Sequence, residues 1–285
     1  MGKNGYLTFS EVFGVGSSKM HRLLSRAAAD CFGMSSDEFY TDHWVQNEGT
    51  SELIRSNRPW VTPSAAALDT VWRSTRDCNW LYNHPDYKWD SVSCSIYCSP
   101  GSALGLVSWL KKNGYQPKRM IDFGAGPGFT SLLIAANFPD AQVEHVEINP
   151  ELSALCRWFA RELKIDNIVT TKVATGKYDV ISAFEVVEHF SAKGQPGVGD
   201  PMTETDVLML SAAHENTVFS YATEWGAEKN YQALGHFREY TFDGKKVGFL
   251  NQPGGQFTKA MKRRGWKKVH DGFNGKPRIY LRDSV

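Results

Sequence analysis

From Lys118 onwards, strand-like and helix-like patterns alternate along the chain. The strand patterns lie at residues 119–126, 141–148, 167–174, 178–184, 216–225, 267–273 and 277–283. The helical patterns lie at residues 129–138, 150–164, 206–214 and 255–265. Alternation of this kind predicts an α/β fold, in which a doubly wound, mostly parallel sheet carries helices on both faces. In such sheets, ligands bind beyond the carboxyl ends of the strands.

The first part of the chain has a different pattern. Residues 1–117 are rich in Trp and Tyr, with helical patterns at residues 18–33, 62–77 and 99–115. Glycines close the first and third patterns, as is common at helix ends. We expect a mainly helical, aromatic-rich extension that serves as a substrate cap, followed by a ligand-binding domain over residues 118–285.

Composition excludes several classes of protein. The net charge is +1, and no apolar run reaches the length that a bilayer span requires. The N-terminus lacks the basic-then-apolar pattern of a signal peptide. The five cysteines are odd in number and scattered, which favours free thiols in a reducing compartment. We therefore expect a cytoplasmic protein with no membrane partner.

A glycine turn follows the first predicted strand. The sequence Ile121-Asp122-Phe123-Gly124-Ala125-Gly126-Pro127-Gly128 connects that strand to a helix, which is the context of a nucleotide-binding turn. Dinucleotide sites use G-x-G-x-x-G, which rests a pyrophosphate on the helix N-terminus. Here the spacing is G-x-G-x-G with an acid two residues before it. A second acid, Glu147, lies where the second strand gives way to a helix.

This combination resembles motif I of the class I S-adenosylmethionine-dependent methyltransferases. The resemblance covers residues 118–285 and implies a seven-stranded sheet with an antiparallel last strand. It implies S-adenosyl-L-methionine as cofactor, with the first acid near its cationic amino-acid end and Glu147 on its ribose. The residues implied to line the cofactor are Asp122, Phe123, Gly124, Ala125, Gly126, Gly128, Glu147, Ile148 and Phe184. The family's usual Asp after strand three is missing, so backbone groups of residues 172–174 are expected to meet the adenine.

The stretch Phe184-Glu185-Val186-Val187-Glu188-His189-Phe190 follows the fourth strand, at the edge where a methyl donor would lie. A helix beginning here would place Glu185, Glu188 and His189 on one face. Three roles remain open. His189 could act as a general base; the three residues with His236 could bind a divalent cation, Mg or Mn; or the acids could simply stabilise a helix N-terminus.

Resemblance extends to this stretch as well. Its E-V-V-E-H pattern is similar to that of ubiquinone-type small-molecule O-methyltransferases and of small-RNA 3′-terminal 2′-O-methyltransferases. In the RNA enzymes, residues at the positions of Glu185, Glu188, His189 and His236 hold a metal. The stretch lacks the [DNS]-P-P-[YFW] motif of amino-methyltransferases that act on DNA bases.

The acceptor of the methyl group is left open by the sequence. We expect transfer to an oxygen or nitrogen of a small molecule. An RNA- or nucleotide-directed enzyme and a non-catalytic cofactor-binding subunit are the alternatives. The RNA alternative would use a basic C-terminal patch formed by Lys262, Arg263, Arg264, Lys267 and Lys268.

Overall fold

The structure is a computed structural model. It describes residues 5–16, 19–39, 91–92, 95–96, 99–186, 213–222, 239–242, 245–248, 261–262, 264–272 and 277–282. The predicted helix at 62–77 lies outside these residues.

Seven strands form one sheet. They are β1 (Arg119–Phe123), β2 (Gln142–Val146), β3 (Ile168–Thr171), β4 (Tyr178–Phe184), β5 (Ala213–Ala222), β8 (Trp266–His270) and β9 (Arg278–Arg282). Their order is β3-β2-β1-β4-β5-β9-β8. The first five strands pair in parallel, whereas β9 is antiparallel to both β5 and β8. The predicted fold is confirmed: a doubly wound, mostly parallel seven-stranded sheet whose last strand is antiparallel.

A second, two-stranded sheet was not predicted from the sequence. Strands β6 (Glu239–Phe242) and β7 (Lys245–Gly248) pair antiparallel as a hairpin. The prediction of a helix through residue 214 is also wrong at its end, because Ala213 and His214 belong to β5. There the Thr217 hydroxyl donates to the Tyr178 carbonyl at 2.8 Å and accepts from the His214 N–H at 2.9 Å. These bonds hold the start of β5 against β4.

Six helices are described: α1 (Phe9–Phe13), α2 (His21–Phe32), α3 (Ser36–Glu38), α4 (Ser99–Lys112), α5 (Phe129–Asn137) and α6 (Pro150–Leu163). The helices predicted at 18–33, 99–115, 129–138 and 150–164 are therefore present. Helix α6 shows why its sequence pattern predicts a helix correctly. Asn149 caps it by accepting from the N–H groups of Glu151 and Leu152, Pro150 occupies its first turn, and left-handed Lys164 ends it. None of the helices in the described parts of the chain is long and apolar enough to span a bilayer.

Each face of the sheet has its own core. On one face, Ile121, Ile181 and Phe219 pack with the C-terminal aromatic residues Trp266 and Tyr280. On the other, alternate residues of the same strands, such as Met120 and Val180, pack against α4 and α5. The strand ends and the β1–α5 turn are thereby fixed on both sides.

A third core ties the N-terminal helices to this sheet. Phe13 of α1 packs edge-on against Phe129 of α5 and Phe159 of α6, with ring centroids 5.6 and 6.2 Å away. Val92 and Ile96, both fully buried, belong to the same cluster. The described N-terminal elements therefore lie against the helices that begin at the carboxyl edge of the sheet.

Candidate cofactor site

The glycine turn between β1 and α5 has the left-handed backbone that its sequence predicts. Gly124, Gly126 and Gly128 have φ values of 64°, 54° and 87°, a region that side chains disfavour. The space beside two of these glycines is also too small for a side chain. A Cβ on Gly124 would lie 2.6 Å from Val186 Cγ2, and one on Gly126 would lie 2.8 Å from Ser91 Oγ. The turn is therefore a narrow cradle between Val186, which follows β4, and the helical residue Ser91.

Glu147 binds this turn from the end of β2. One carboxylate oxygen accepts from the Gly126 N–H at 2.9 Å, and the other accepts from the Asn149 N–H at 2.8 Å. The side chain is buried, and burial raises its pKa above the ordinary value. Glu147 therefore joins the ends of two neighbouring strands at the predicted ribose position.

Two exposed apolar residues flank this acid. Val146 and Thr171 pair at the ends of β2 and β3, and Ile148 and Val173 each follow two residues later. Their exposed fractions are 56% and 66%, which is high for large apolar residues in a chain with an extensive core. Both residues therefore present apolar surface beyond the ends of β2 and β3.

Asp122 lies beneath the turn. Ser131 Oγ donates to one of its oxygens at 2.6 Å and Ser182 Oγ to the other at 2.8 Å, and the residue is 2% exposed. Burial, only partly offset by these hydroxyls, raises its pKa to about 6. In the described structure Asp122 joins β1, β4 and α5, while its contact with a cofactor stays a prediction.

One polar residue that contacts the turn was not predicted from the sequence. His145 Nε2 lies 2.9 Å from the Gly126 carbonyl oxygen, and burial lowers the pKa of the ring to about 4. A carbonyl oxygen only accepts, so Nε2 carries the proton and the ring is neutral. The available signal was a histidine in the middle of a predicted strand, in register with Asp122 of the neighbouring strand.

The post-β4 segment differs from its prediction. Glu185 has φ 55°, and residues 185–186 form a turn, so the prediction of a helix beginning at Glu185 is wrong. The Glu185 N–H donates to the Ala222 carbonyl at 2.9 Å, which extends the β4–β5 ladder up to the point where the chain turns. Val186 then covers Gly124. Glu185 is therefore not part of the helical face that was predicted to include Glu185, Glu188 and His189.

The predicted metal ligands are only partly within the structure. Glu188, His189 and His236 lie outside the described residues. Among the residues that are described, no group of three His, Cys, Asp or Glu side chains is placed to hold a metal ion. Metal binding by Glu185, Glu188, His189 and His236 therefore stays a prediction.

The remaining predicted residues lie close to the turn or on an outer strand. Ala125 and Phe184 are buried, Phe184 in the core beneath α4, and Phe123 is half-buried beside Ile121. Of the basic patch, Lys267 and Lys268 lie exposed on β8, the edge strand of the sheet. Lys268 pairs with Asp271 at 2.9 Å. A nucleic-acid partner for this patch stays a prediction.

Comparison with known proteins gives a consistent result for the central part of the chain. Residues 103–196 match the family model described as "Methyltransferase domain". A malonyl-[acyl-carrier protein] O-methyltransferase of Legionella pneumophila is 26% identical over 128 residues, which cover 42% of this chain and 45% of that protein. The chain thus aligns with less than half the length of this curated relative.

Solved structures with weaker likeness are also methyltransferases. The magnesium protoporphyrin IX methyltransferase of Synechocystis PCC 6803 is 15% identical with a TM-score of 0.46, over 76% of this chain and 97% of that one. The N-methyltransferase NodS of Bradyrhizobium japonicum is 10% identical with a TM-score of 0.43, over 77% and 98%. Residues 103–196 are thus similar to a methyltransferase domain, in a chain whose sheet order and glycine turn have the features expected of one.

Proposed function

We propose that this protein transfers the methyl group of S-adenosylmethionine to an oxygen or nitrogen of a small molecule. The observation that carries the proposal is the bond between Glu147 and the Gly126 N–H, because it holds an acid beside a glycine cradle at the carboxyl edge of the sheet. Glu147 would bind the ribose hydroxyls, since each carboxylate oxygen has a further lone pair besides the one used by the backbone.

The surroundings fit the rest of such a cofactor. Ile148 and Val173 offer exposed apolar surface to an adenine ring. S-adenosylmethionine supplies a methyl group on a sulfonium, which a nucleophile takes by in-line displacement. The chain's contribution is to orient the nucleophile and to exclude water from this edge.

Among the residues that the structure describes, Glu185 is the one that would assist the methyl acceptor. It ends β4 in a left-handed conformation that non-glycine residues adopt at a cost, and such strain clusters at functional sites. Its carboxylate, or His189 beyond it, would take the proton that a hydroxyl or amine loses on methylation. Binding of Mg²⁺ or Mn²⁺ by Glu185, Glu188, His189 and His236 is the metal-assisted form of the same step.

A small molecule is the favoured acceptor for two reasons. The E-V-V-E-H stretch resembles that of small-molecule O-methyltransferases, and the curated relative is by its name an O-methyltransferase that acts on a malonyl group carried on acyl-carrier protein. No described feature favours RNA in the same way. The basic residues of β8 lie on an edge strand, four positions across the sheet from β1 and its turn.

The proposal is tested by labelling. The full chain is incubated with S-adenosylmethionine carrying a radioactive methyl group and with a cell extract, which is then separated into metabolites, RNA and protein. We expect label in the metabolites, and none with the Gly126→Arg variant, whose side chain fills the cradle. Label in RNA would overturn the small-molecule assignment. Label nowhere, from a protein that still binds S-adenosylhomocysteine, would indicate a non-catalytic cofactor-binding subunit.

The same assay tests the metal. Loss of labelling in EDTA and recovery with Mn²⁺ or Mg²⁺ would support metal binding by Glu185, Glu188, His189 and His236. Full labelling in EDTA would exclude it and leave a metal-free proton transfer.

A further inference from the structure

We propose that the hydroxyls of Ser91 and Ser95 bind the amino-acid end of the cofactor. This inference rests on the proposed function, because it takes S-adenosylmethionine as the ligand. It assigns to the N-terminal part of the chain a cofactor-binding role that the glycine turn and its two acids do not include.

Both hydroxyls face the middle of the turn. A Cβ built on Gly126 would lie 2.8 Å from Ser91 Oγ and 3.1 Å from Ser95 Oγ. The two serines have helical backbone, and both hydroxyls approach the same side of Gly126. Both serines are half-buried. Two polar groups are therefore directed at one point of the cradle.

The backbone N–H groups of residues 125–128 are not available as donors to a carboxylate. The Ala125 N–H donates to Val146 O at 3.1 Å, the Gly126 N–H to Glu147 at 2.9 Å and the Gly128 N–H to Ala125 O at 3.0 Å. Pro127 has no N–H. Every N–H group of residues 125–128 is thus already used within the protein.

An α-carboxylate lying over this turn must therefore find its donors elsewhere. Hydroxyls are suitable, because each donates one hydrogen bond to an anionic oxygen and still accepts from a nearby ammonium group. Hydrogen bonds to charged groups are shorter and stronger than those between neutral groups. Ser91 and Ser95 are the described side chains that face this position.

The serines are also held in place. Val92 and Ile96, their immediate neighbours, are 0% and 1% exposed and belong to the core that includes Phe129, the first residue of α5. The same packing that anchors this helical segment thus fixes the two hydroxyls relative to the turn. Such a supporting shell is what allows a binding group to act without being ordered by the ligand.

The test compares two ligands that differ only at the proposed contact. S-adenosylhomocysteine carries the amino-acid end, whereas 5′-methylthioadenosine has the same adenosine and sulfur without it. Calorimetry measures both affinities for the wild type and for the Ser91→Ala/Ser95→Ala variant. Alanine favours helix more than serine does, so the segment should stay folded, and a thermal melt checks this.

We expect the variant to bind S-adenosylhomocysteine about tenfold or more weakly, and 5′-methylthioadenosine within about twofold of the wild type. The matched control is Ser25→Ala, a half-buried helical serine whose hydroxyl lies 3.3 Å from that of Ser36; it should change neither affinity.

Three results would overturn the inference. Unchanged affinity for S-adenosylhomocysteine in the double variant would remove the contact and leave the proposed function intact. Equal loss for both ligands would show that the serines support the turn as a whole instead of the amino-acid end. A wild type that binds neither ligand would refute the proposed function itself, and the serine assignment with it.

Discussion

His145 on β2 binds the carbonyl oxygen of Gly126 at 2.9 Å, from a position with no exposure to solvent. Gly126 thus has both of its backbone polar groups held by neighbouring residues of the β2 end, because Glu147 accepts from its N–H. The cradle is rigid for this reason, and the two residues that hold it are both ionisable. Its stability must therefore depend on pH.

The first prediction concerns His145 and acid. Burial holds the pKa of the folded ring at about 4, below the usual 6.5, so the unfolded chain takes up a proton first as the pH falls. His145 therefore stabilises the fold fully above about pH 6.5 and loses this contribution between pH 6.5 and 4. From pH 7 to pH 5, the free energy of unfolding should fall about 2 kcal/mol more in the wild type than in His145→Gln. Urea titrations at the two pH values measure the difference.

Asp122 provides a control, because its titration should change the stability of the fold in the opposite direction as the pH falls. Its folded pKa of about 6 lies above its usual 3.8, so the folded state takes up the proton first and gains stability as the pH falls from 6. Asp122→Asn should therefore lose more stability on acidification than the wild type. If both variants follow the wild-type pH profile, the assignment of these two titrations is wrong.

The second prediction concerns Glu147. Removal of the carboxylate in Glu147→Ala leaves the Gly126 N–H without its acceptor and removes the proposed ribose contact, so affinity for S-adenosylhomocysteine should fall about tenfold or more. Glu147→Gln, which keeps one acceptor oxygen, should lie between the alanine variant and the wild type. Calorimetry measures all three.

Glu162→Ala is the matched control for this series. It removes a surface glutamate from the last turn of α6, where it pairs with Arg26 at 2.9 Å. Exposed pairs of this kind contribute little, and cofactor affinity should not change. Equal affinities for Glu147→Ala and Glu162→Ala would refute the placement of the ribose.

The third prediction concerns the left-handed backbone of Glu185. Glu185→Ala and Glu185→Gly both remove the side chain, but only alanine keeps the Cβ that a φ of 55° disfavours. The glycine variant should therefore be more stable than the alanine variant by about 1 kcal/mol in chemical denaturation. Both variants should lose methyl transfer if the carboxylate takes the proton from the acceptor.

The same pair of substitutions at Glu162, inside α6, gives the reverse order, with glycine less stable by roughly 0.5–1 kcal/mol. An identical order at the two sites would mean that Glu185 is not left-handed in solution.

The sequence predicts the fold of this chain well where local chemistry and tertiary packing agree. Asn149 and Pro150 begin α6 by local rules alone, and the glycines at 124, 126 and 128 already indicate a turn. The start of β5 and the turn at Glu185 were missed because each depends on pairing between β4 and β5, which are distant in sequence. His145 and Asp122 were hard to interpret for a related reason. Their bonds to Gly126, Ser131 and Ser182 exist only once three elements have come together.

The stacking of Phe9 and Phe13 and their edge contacts to Phe129 and Phe159 have a practical consequence. A shortened protein that begins at residue 118, where the strand–helix alternation starts, would keep α5 and α6 but lose the rings that cover them. The exposed aromatic face would attract other molecules of the same fragment. Crystallographers who trim such chains to a minimal catalytic unit should therefore retain the first helix.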